Sequence, residues 1–191
     1  EWVSSIMQIE TRRLLLRPPA REDFSAWALM EADESVKANT GAPQDQRESW
    51  NQLLSVAGHW SLMGWGALCA VEKSSGRFIG RFGPSKPFGW PCIEVGWMLL
   101  PEFQGRGYAL EGAIAAMDFA FFELGEDRVI HTIRPANLAS QRLAQKLGST
   151  NLGPIVLPPP YEDTPNDEWS QTRKDWEINR VQLKISSEAG R

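Results

Sequence analysis

The sequence predicts a single α/β domain with a mixed sheet, and three observations carry that expectation. Short apolar runs with a period of two alternate with longer segments whose apolar residues recur every three or four positions. Turn and cap residues punctuate the changes of period, and no internal repeat, low-complexity tract or Gly/Ser/Pro-rich linker divides the chain. With 191 residues, 42% hydrophobic and 23% charged, the chain suits one ordinary core. The domain is placed at residues 9–185, with 186–191 as a tail and 1–8 as an extension. Glu1 to Ile6, ahead of Met7, read as an expression remnant.

Ile9 to Arg17 alternates as a first strand and stops at Pro18-Pro19. Phe24, Trp27, Ala28 and Met30 give helical spacing to Arg21–Asp33, and Trp50, Leu53, Leu54 and Ala57 do the same from about Asp45 to Trp60. Ala67–Glu72 and Phe78–Phe82 form a hairpin through Lys73-Ser74-Ser75-Gly76. A fourth strand, Ile93 to Leu100, places Glu94, Gly96 and Met98 on one face and Ile93, Val95, Trp97 and Leu99 on the other. The clearest helix follows, with Leu110, Ala113, Ile114, Met117, Phe121 and Leu124 in period, ended by Gly125. Arg128–Ile133 is a fifth strand, and Asn137 caps a short helix that stops at Gly148. A last pair of strands, near Leu152–Leu157 and Trp176–Leu183, flanks an irregular segment rich in proline and acid.

A net charge of −4 argues against nucleic acid as a main partner, since phosphate binding needs concentrated Lys and Arg. No apolar run nears the roughly 20 residues that cross a bilayer, and a cytoplasmic location with no membrane partner is the expectation. Cys69 and Cys92 have neither disulfide-scaffold density nor zinc-site spacing; both read as reduced core residues, and no metal is expected.

Chemistry concentrates at Gln104-Gly105-Arg106-Gly107-Tyr108-Ala109, between the fourth strand and the helix after it. A helix start presents unpaired N–H groups and partial positive charge, and Gly105 and Gly107 let the main chain approach an oxygen-rich ligand. Diphosphate is the natural guest. The lysine-serine or lysine-threonine pair of a P-loop is missing, as is the Gly-x-Gly-x-x-Gly fingerprint.

On these residues the sequence resembles the GNAT superfamily of N-acetyltransferases, whose pyrophosphate loop reads Gln/Arg-x-x-Gly-x-Gly/Ala. Gln104, Gly107 and Ala109 match it. Thr11-Arg12-Arg13-Leu14-Leu15-Leu16-Arg17-Pro18 and the Asn-x-x-Ser element Asn137 to Ser140 look like the branch of the RimJ and RimL ribosomal-protein acetyltransferases. The resemblance runs from about Ile9 to at least Gly148. It implies a mostly antiparallel central sheet with flanking helices, splayed between the fourth and fifth strands, and acetyl-CoA as co-substrate. Met98, Leu99 and Leu100 would pair with the pantetheine arm, and Gln104, Gly105, Arg106, Gly107, Tyr108 and Ala109 would hold the pyrophosphate. Asn137 would bond the pantetheine, with Ser140 nearby. The tyrosine that protonates the leaving thiolate in much of the superfamily is Ala144 here, which makes Ser140, or a water it orders, the candidate acid. Related enzymes often dimerise, so a homodimer is a further implication.

A lysine-type amine with pKa about 10.4 is less than about one part in a thousand neutral at pH 7, so the acceptor needs a base. Glu94 is the candidate, set against an edge-of-sheet glutamate paired to a cation. Neither cysteine has a motif-like histidine beside it, which favours direct attack over a covalent intermediate. His59 and His131 read as structural. Trp65, Trp90 and Trp97 fit a pocket wall or the core, and the acidic stretch from Pro158 to Trp169 fits recognition of a cationic acceptor or a solvated loop. The expected activity is acetyl transfer to a primary amine, a protein N-terminal α-amine or a small molecule. The alternatives are an acyl-CoA-binding sensor without turnover and a protein-interaction module.

Overall fold

The structure is a computed structural model describing residues 7–41 and 45–189; the reading of Glu1 to Ile6 therefore falls outside the described residues. Two compact units are present, the first from Glu1–Ser85 with Gly96–Ala116, the second from Lys86–Val95 with Met117–Arg191, each taken over its described residues.

In the first unit β1 (Ile9–Glu10), β2 (Leu14–Arg17), β3 (Leu68–Glu72), β4 (Phe78–Phe82) and β5 (Trp97–Leu99) form an antiparallel sheet in the order β1-β2-β3-β4-β5. The helices α1 (Phe24–Ala32), α2 (Glu34–Thr40) and α3 (Gln46–Met63) lie between β2 and β3 in the chain. Asp33 starts α2 by accepting from the Ser35 and Val36 N–H groups (2.9 and 3.2 Å), and Asp45 starts α3 by accepting from Glu48 (2.8 Å). Trp27, Met30, Leu53, Cys69 and Phe78 close over one another as the core, with Trp50, Met98 and Leu100 against them. Burying a side chain of this size contributes about 1.5–3 kcal/mol. At the core's edge Arg81 lies 3.2 Å from the buried Glu31 carboxylate and stacks over the Trp27 ring.

α4 (Tyr108–Asp118) begins in the first unit and ends in the second, where a π-turn, Phe119–Glu123, continues it. The second unit holds β6 (Arg128–Ile133), α5 (Leu138–Leu147), β7 (Thr150–Ile155), β8 (Asn166–Thr172) and α6 (Arg173–Ala189). Its sheet runs β6-β8-β7, all antiparallel, and the segment around Glu94 joins β6 in parallel: Val95 N–H donates to Ile130 and Ile130 N–H to Ile93 (2.9 and 3.0 Å). Trp176 anchors α6 by stacking on Phe121 and donating to Asp118 (3.0 Å), which also takes Arg180.

His131 is a structural histidine of this unit. The Val95 carbonyl can only accept, so Nδ1 carries the proton and donates to it (2.6 Å), while Ser149 Oγ donates to Nε2 (2.9 Å) and itself accepts from Gln171 (3.1 Å). Burial pushes the imidazole down to about 4, far below its ordinary 6.5. The folded state thus prefers the neutral ring, and its stabilisation is full above pH 6.5 and drains as pH falls from 6.5 toward 4. Denaturant unfolding at pH 7 and pH 5 is expected to show a loss of about 2 kcal/mol from this group. His131→Gln should be less stable at pH 7 yet lack that part of the loss; an undiminished loss would assign it elsewhere.

The structure departs from the sequence reading in four places. The first strand is a hairpin, β1 and β2 folded at Thr11, whose hydroxyl accepts from Leu14 N–H (3.0 Å) and whose N–H donates to the Leu14 carbonyl (2.9 Å). α2 was not expected. The run Ile93–Leu100 breaks at Gly96, so the regular strand is only β5. The last strand is Asn166–Thr172, inside the segment read as irregular, and Trp176–Leu183 belongs to helix α6. β8 is polar in sequence but buries Trp169, Ser170 and Gln171, because the polar pair is satisfied: Ser170 donates to the Val129 carbonyl (3.1 Å) and Gln171 to Leu147 (3.0 Å).

Candidate active site

The start of α4 is shaped by two glycines in the left-handed region, Gly105 at φ 70° and Gly107 at φ 81°. A side chain at either position would strain the backbone, whereas glycine adopts this turn freely. The first N–H bonded back into the loop is that of Glu111, to Gly107 (3.2 Å), so the N–H groups of Tyr108, Ala109 and Leu110 precede the helical ladder. A clasp holds this corner. Arg13 donates through its backbone N–H and Nε to Glu111 (2.7 Å each) and through NH1 to the Arg106 carbonyl (3.0 Å), while Thr11 Oγ1 donates to Glu111 (2.6 Å). Burial pushes the Glu111 carboxyl up, but these donors outweigh it and hold it below its usual value. Arg13 also lies 4.0 Å over the Tyr108 ring, and the Tyr108 hydroxyl donates to Glu72.

β5 leads into this corner. Gly96 C=O accepts from Gly83 N–H (2.8 Å) and Leu100 N–H donates to Ile79 (2.9 Å), so by the period of two Met98 also faces β4. The backbone of Leu99 points to the opposite edge, where its carbonyl accepts from Gln104 Nε2 (3.1 Å). Of Met98, Leu99 and Leu100, the residues expected to meet a ligand through the backbone, Leu99 is the one directed away from β4. Gln104 itself is turned back to brace the strand's end.

In the second unit Glu94 is ringed by donors. Its Oε1 accepts from Thr132 N–H (3.1 Å) and Oγ1 (2.5 Å), and Oε2 from Trp90 Nε1 (2.8 Å). The residue is partly exposed while its carboxylate is enclosed; burial drives the carboxyl above its ordinary value, and the three donors pull back only part of the way. Trp90 meets Tyr161 edge-on at 5.8 Å, and Gly89 lies against Pro158, so the acidic loop packs beside this group. The reading of Glu94 as partner of a cation gains no support: hydroxyl, amide and indole are its partners. Asn137 Oδ1 caps α5 by accepting from Ser140 N–H (3.1 Å), and Ala144 is fully buried on the inner face of that helix.

The family description "Acetyltransferase (GNAT) domain" matches residues 13–150 of the chain. The chain belongs to the GNAT acetyltransferase family. YkkB of Bacillus subtilis, an uncharacterized protein, is 30% identical over 149 residues, 74% of this chain and 84% of its own. The uncharacterized N-acetyltransferase YnaD of the same organism is 37% identical over 83 residues; the match spans 44% of this chain and about half, 49%, of YnaD. A crystal structure of an acetyltransferase from Agrobacterium tumefaciens str. C58 superposes with a TM-score of 0.76 at 30% identity, covering 90% of this chain and 97% of that one. The architecture is thus the mixed α/β GNAT fold, with antiparallel strands and flanking helices, and the protein is an acetyltransferase with acetyl-CoA as co-substrate.

Within this GNAT domain the cysteines are unsuited to covalent catalysis. Cys69 is buried and Cys92 half-buried, both are free, and burial pushes both thiols up, away from thiolate. Among the described residues no group of three or more His, Cys, Asp or Glu could hold a metal, and no helix is long and apolar enough to cross a membrane. His59 Nδ1 lies 2.7 Å from the Trp65 carbonyl, with Trp65 edge-on to the ring, a local brace at the end of α3. Sequence reasoning missed Thr11, Arg13, Glu72 and Glu111. Glu111 carried a signal, an acid in the first turn of the helix expected to hold an anion, which asks for a neutralising cation elsewhere in the chain.

Proposed function

We propose that the protein transfers an acetyl group from acetyl-CoA to a primary amine, a protein N-terminal α-amine or the amine of a small molecule, by direct attack in a ternary complex. The observation that carries this reading is the start of α4, where two left-handed glycines and unladdered N–H groups are clasped by Arg13 and Glu111. The open space around Gly105, with no atom within 4 Å of an added Cβ, fits a diphosphate. Gly105 to Ala109 hold it through the main chain, and Leu99 offers backbone groups to the pantetheine arm. Acetyl-CoA supplies the acetyl thioester.

Glu94 takes the proton of the acceptor ammonium. A carboxyl raised above its ordinary value is a stronger base than an exposed glutamate, and the three donors around it favour its ionised form. The amine nitrogen then bonds the carbonyl carbon and the carbon–sulfur bond breaks. Ser140, or a water it orders, assists the departing thiolate, since Ala144 stands where much of the superfamily has the tyrosine. The Thr11–Pro18 opening and the Asn137–Ser140 element resemble those of the RimJ and RimL enzymes, a likeness that supports a protein α-amine as acceptor.

Calorimetry with acetyl-CoA, followed by thiol release with peptide α-amines and with small amines, tests the reading. Saturable binding and release with one acceptor class are expected, and Gly107→Val should weaken binding by about tenfold or more, the cost of a β-branched residue at positive φ. Binding without release over both panels would leave a coenzyme sensor; absence of binding would end the proposal.

A further inference from the structure

A cleft of about 340 Å³ in the first unit is lined by Arg12, Arg13, Lys73, Ser74 and Tyr108. Three cations and two hydroxyl-bearing residues line it and no carboxylate does, in a chain whose net charge is −4. The neighbouring acids are already engaged. Glu111 takes Arg13 and Thr11, Glu72 takes the hydroxyls of Ser75 and Tyr108, and Glu10 reaches Lys73 only at 3.4 Å.

The cations are built into the wall to different degrees. Arg13 is fixed through Nε and NH1, while its NH2 stands 3.3 Å from where a Gly107 Cβ would lie and has no acceptor among the described residues. Lys73 Nζ is tethered at the mouth by the Thr11 carbonyl (2.8 Å). Arg12 is exposed and has no acceptor among the described residues. Tyr108, the first residue of α4, belongs both to this cleft and to the helix start that holds the diphosphate.

We infer that this cleft is a second phosphate seat, taking the ribose 3′-phosphate that distinguishes coenzyme A from its dephospho form, with Arg12 and Lys73 as the residues that set the preference. The inference rests on the coenzyme reading above. Its chemistry is that of a phosphomonoester dianion, which a row of guanidinium, ammonium and hydroxyl donors matches and a neutral ribose hydroxyl does not. One sugar separates this phosphate from the diphosphate, and one residue, Tyr108, joins the two seats. The selectivity is electrostatic and partly exposed, so it weakens with salt.

The test is calorimetric and needs no acceptor: dissociation constants of coenzyme A and 3′-dephospho-coenzyme A at low salt, for the natural sequence, Arg12→Ala and Arg12→Ala/Lys73→Ala. Coenzyme A is expected to bind ~10-fold more tightly than the dephospho form, from two charge-assisted contacts of about 0.7 kcal/mol each at a surface. The ratio should shrink in Arg12→Ala and approach one in the double variant. Damage to the fold weakens both ligands alike and leaves the ratio standing, which would count against the inference. A ratio of one in the natural sequence, with coenzyme A still bound, would overturn it and spare the coenzyme reading; binding of neither ligand would overturn both.

Discussion

Glu94→Gln is expected to lower kcat by about 100- to 1,000-fold while leaving the affinity for acetyl-CoA unchanged, the loss typical of removing a positioned base. The carboxylate is held by Thr132 and Trp90 and raised by burial, so the sign of its pH dependence is fixed. A base must be ionised to work, and kcat/KM should therefore fall as pH drops through a value above the ordinary glutamate range. Glutamine removes that acidic limb. Trp90→Phe deletes one donor to the ionised form, so the limb should move to higher pH with the base still present. Rate profiles from pH 5 to 9 on the three proteins decide the matter. A loss of only a few-fold in Glu94→Gln, with the limb intact, would remove this residue from the chemistry.

Gly80→Ala is expected to cost about 3 kcal/mol of stability, at the upper end for forcing a methyl into packed structure. A Cβ at Gly80 would stand 2.2 Å from the Met98 carbonyl oxygen and 2.9 Å from the Leu99 Cα. Both are backbone atoms of β5, which cannot rotate aside as a side chain can. The strand must shift as a whole, and the Leu99 edge shifts with it. Gly96→Ala is the control, since nothing lies within 4 Å of its added Cβ. Urea unfolding of both variants, read beside acetyl-CoA affinity, should show Gly80→Ala failing in both and Gly96→Ala near the parent. A change below about 1 kcal/mol at Gly80 would show that β5 yields easily.

The parts of this protein legible in its sequence are those whose partners lie close along the chain. The β3–β4 hairpin, the start of α4 and the Asn137 cap of α5 each follow from a few neighbouring residues. β8 was hidden because burial usually announces itself through apolar side chains, and here Ser170 and Gln171 are buried by hydrogen bonds to residues more than twenty positions away. α6 reads as a strand in sequence because Trp176–Ile178 and Val181–Leu183 are each short apolar–polar alternations. The corrective signal stood just ahead of it: Thr172 and Asp175 form a reciprocal cap, the threonine hydroxyl accepting from the Asp175 N–H (3.2 Å) and donating to its carboxylate (2.6 Å). The place of Glu94 on its strand is legible in the sequence, but its enclosure by Trp90 and Thr132 is not, since it depends on the parallel pairing with β6.

The Arg13–Glu111 bond spans 98 positions of the chain. A nascent polypeptide cannot complete this bracket until Glu111 has been synthesised, so the loop's final geometry forms well after the first hairpin has emerged. An excised peptide carrying the glycines would lack the arginine that holds them in place. Coenzyme affinity is consequently a readout of whether the first hairpin has docked, and a ligand that binds only the docked form stabilises it by mass action.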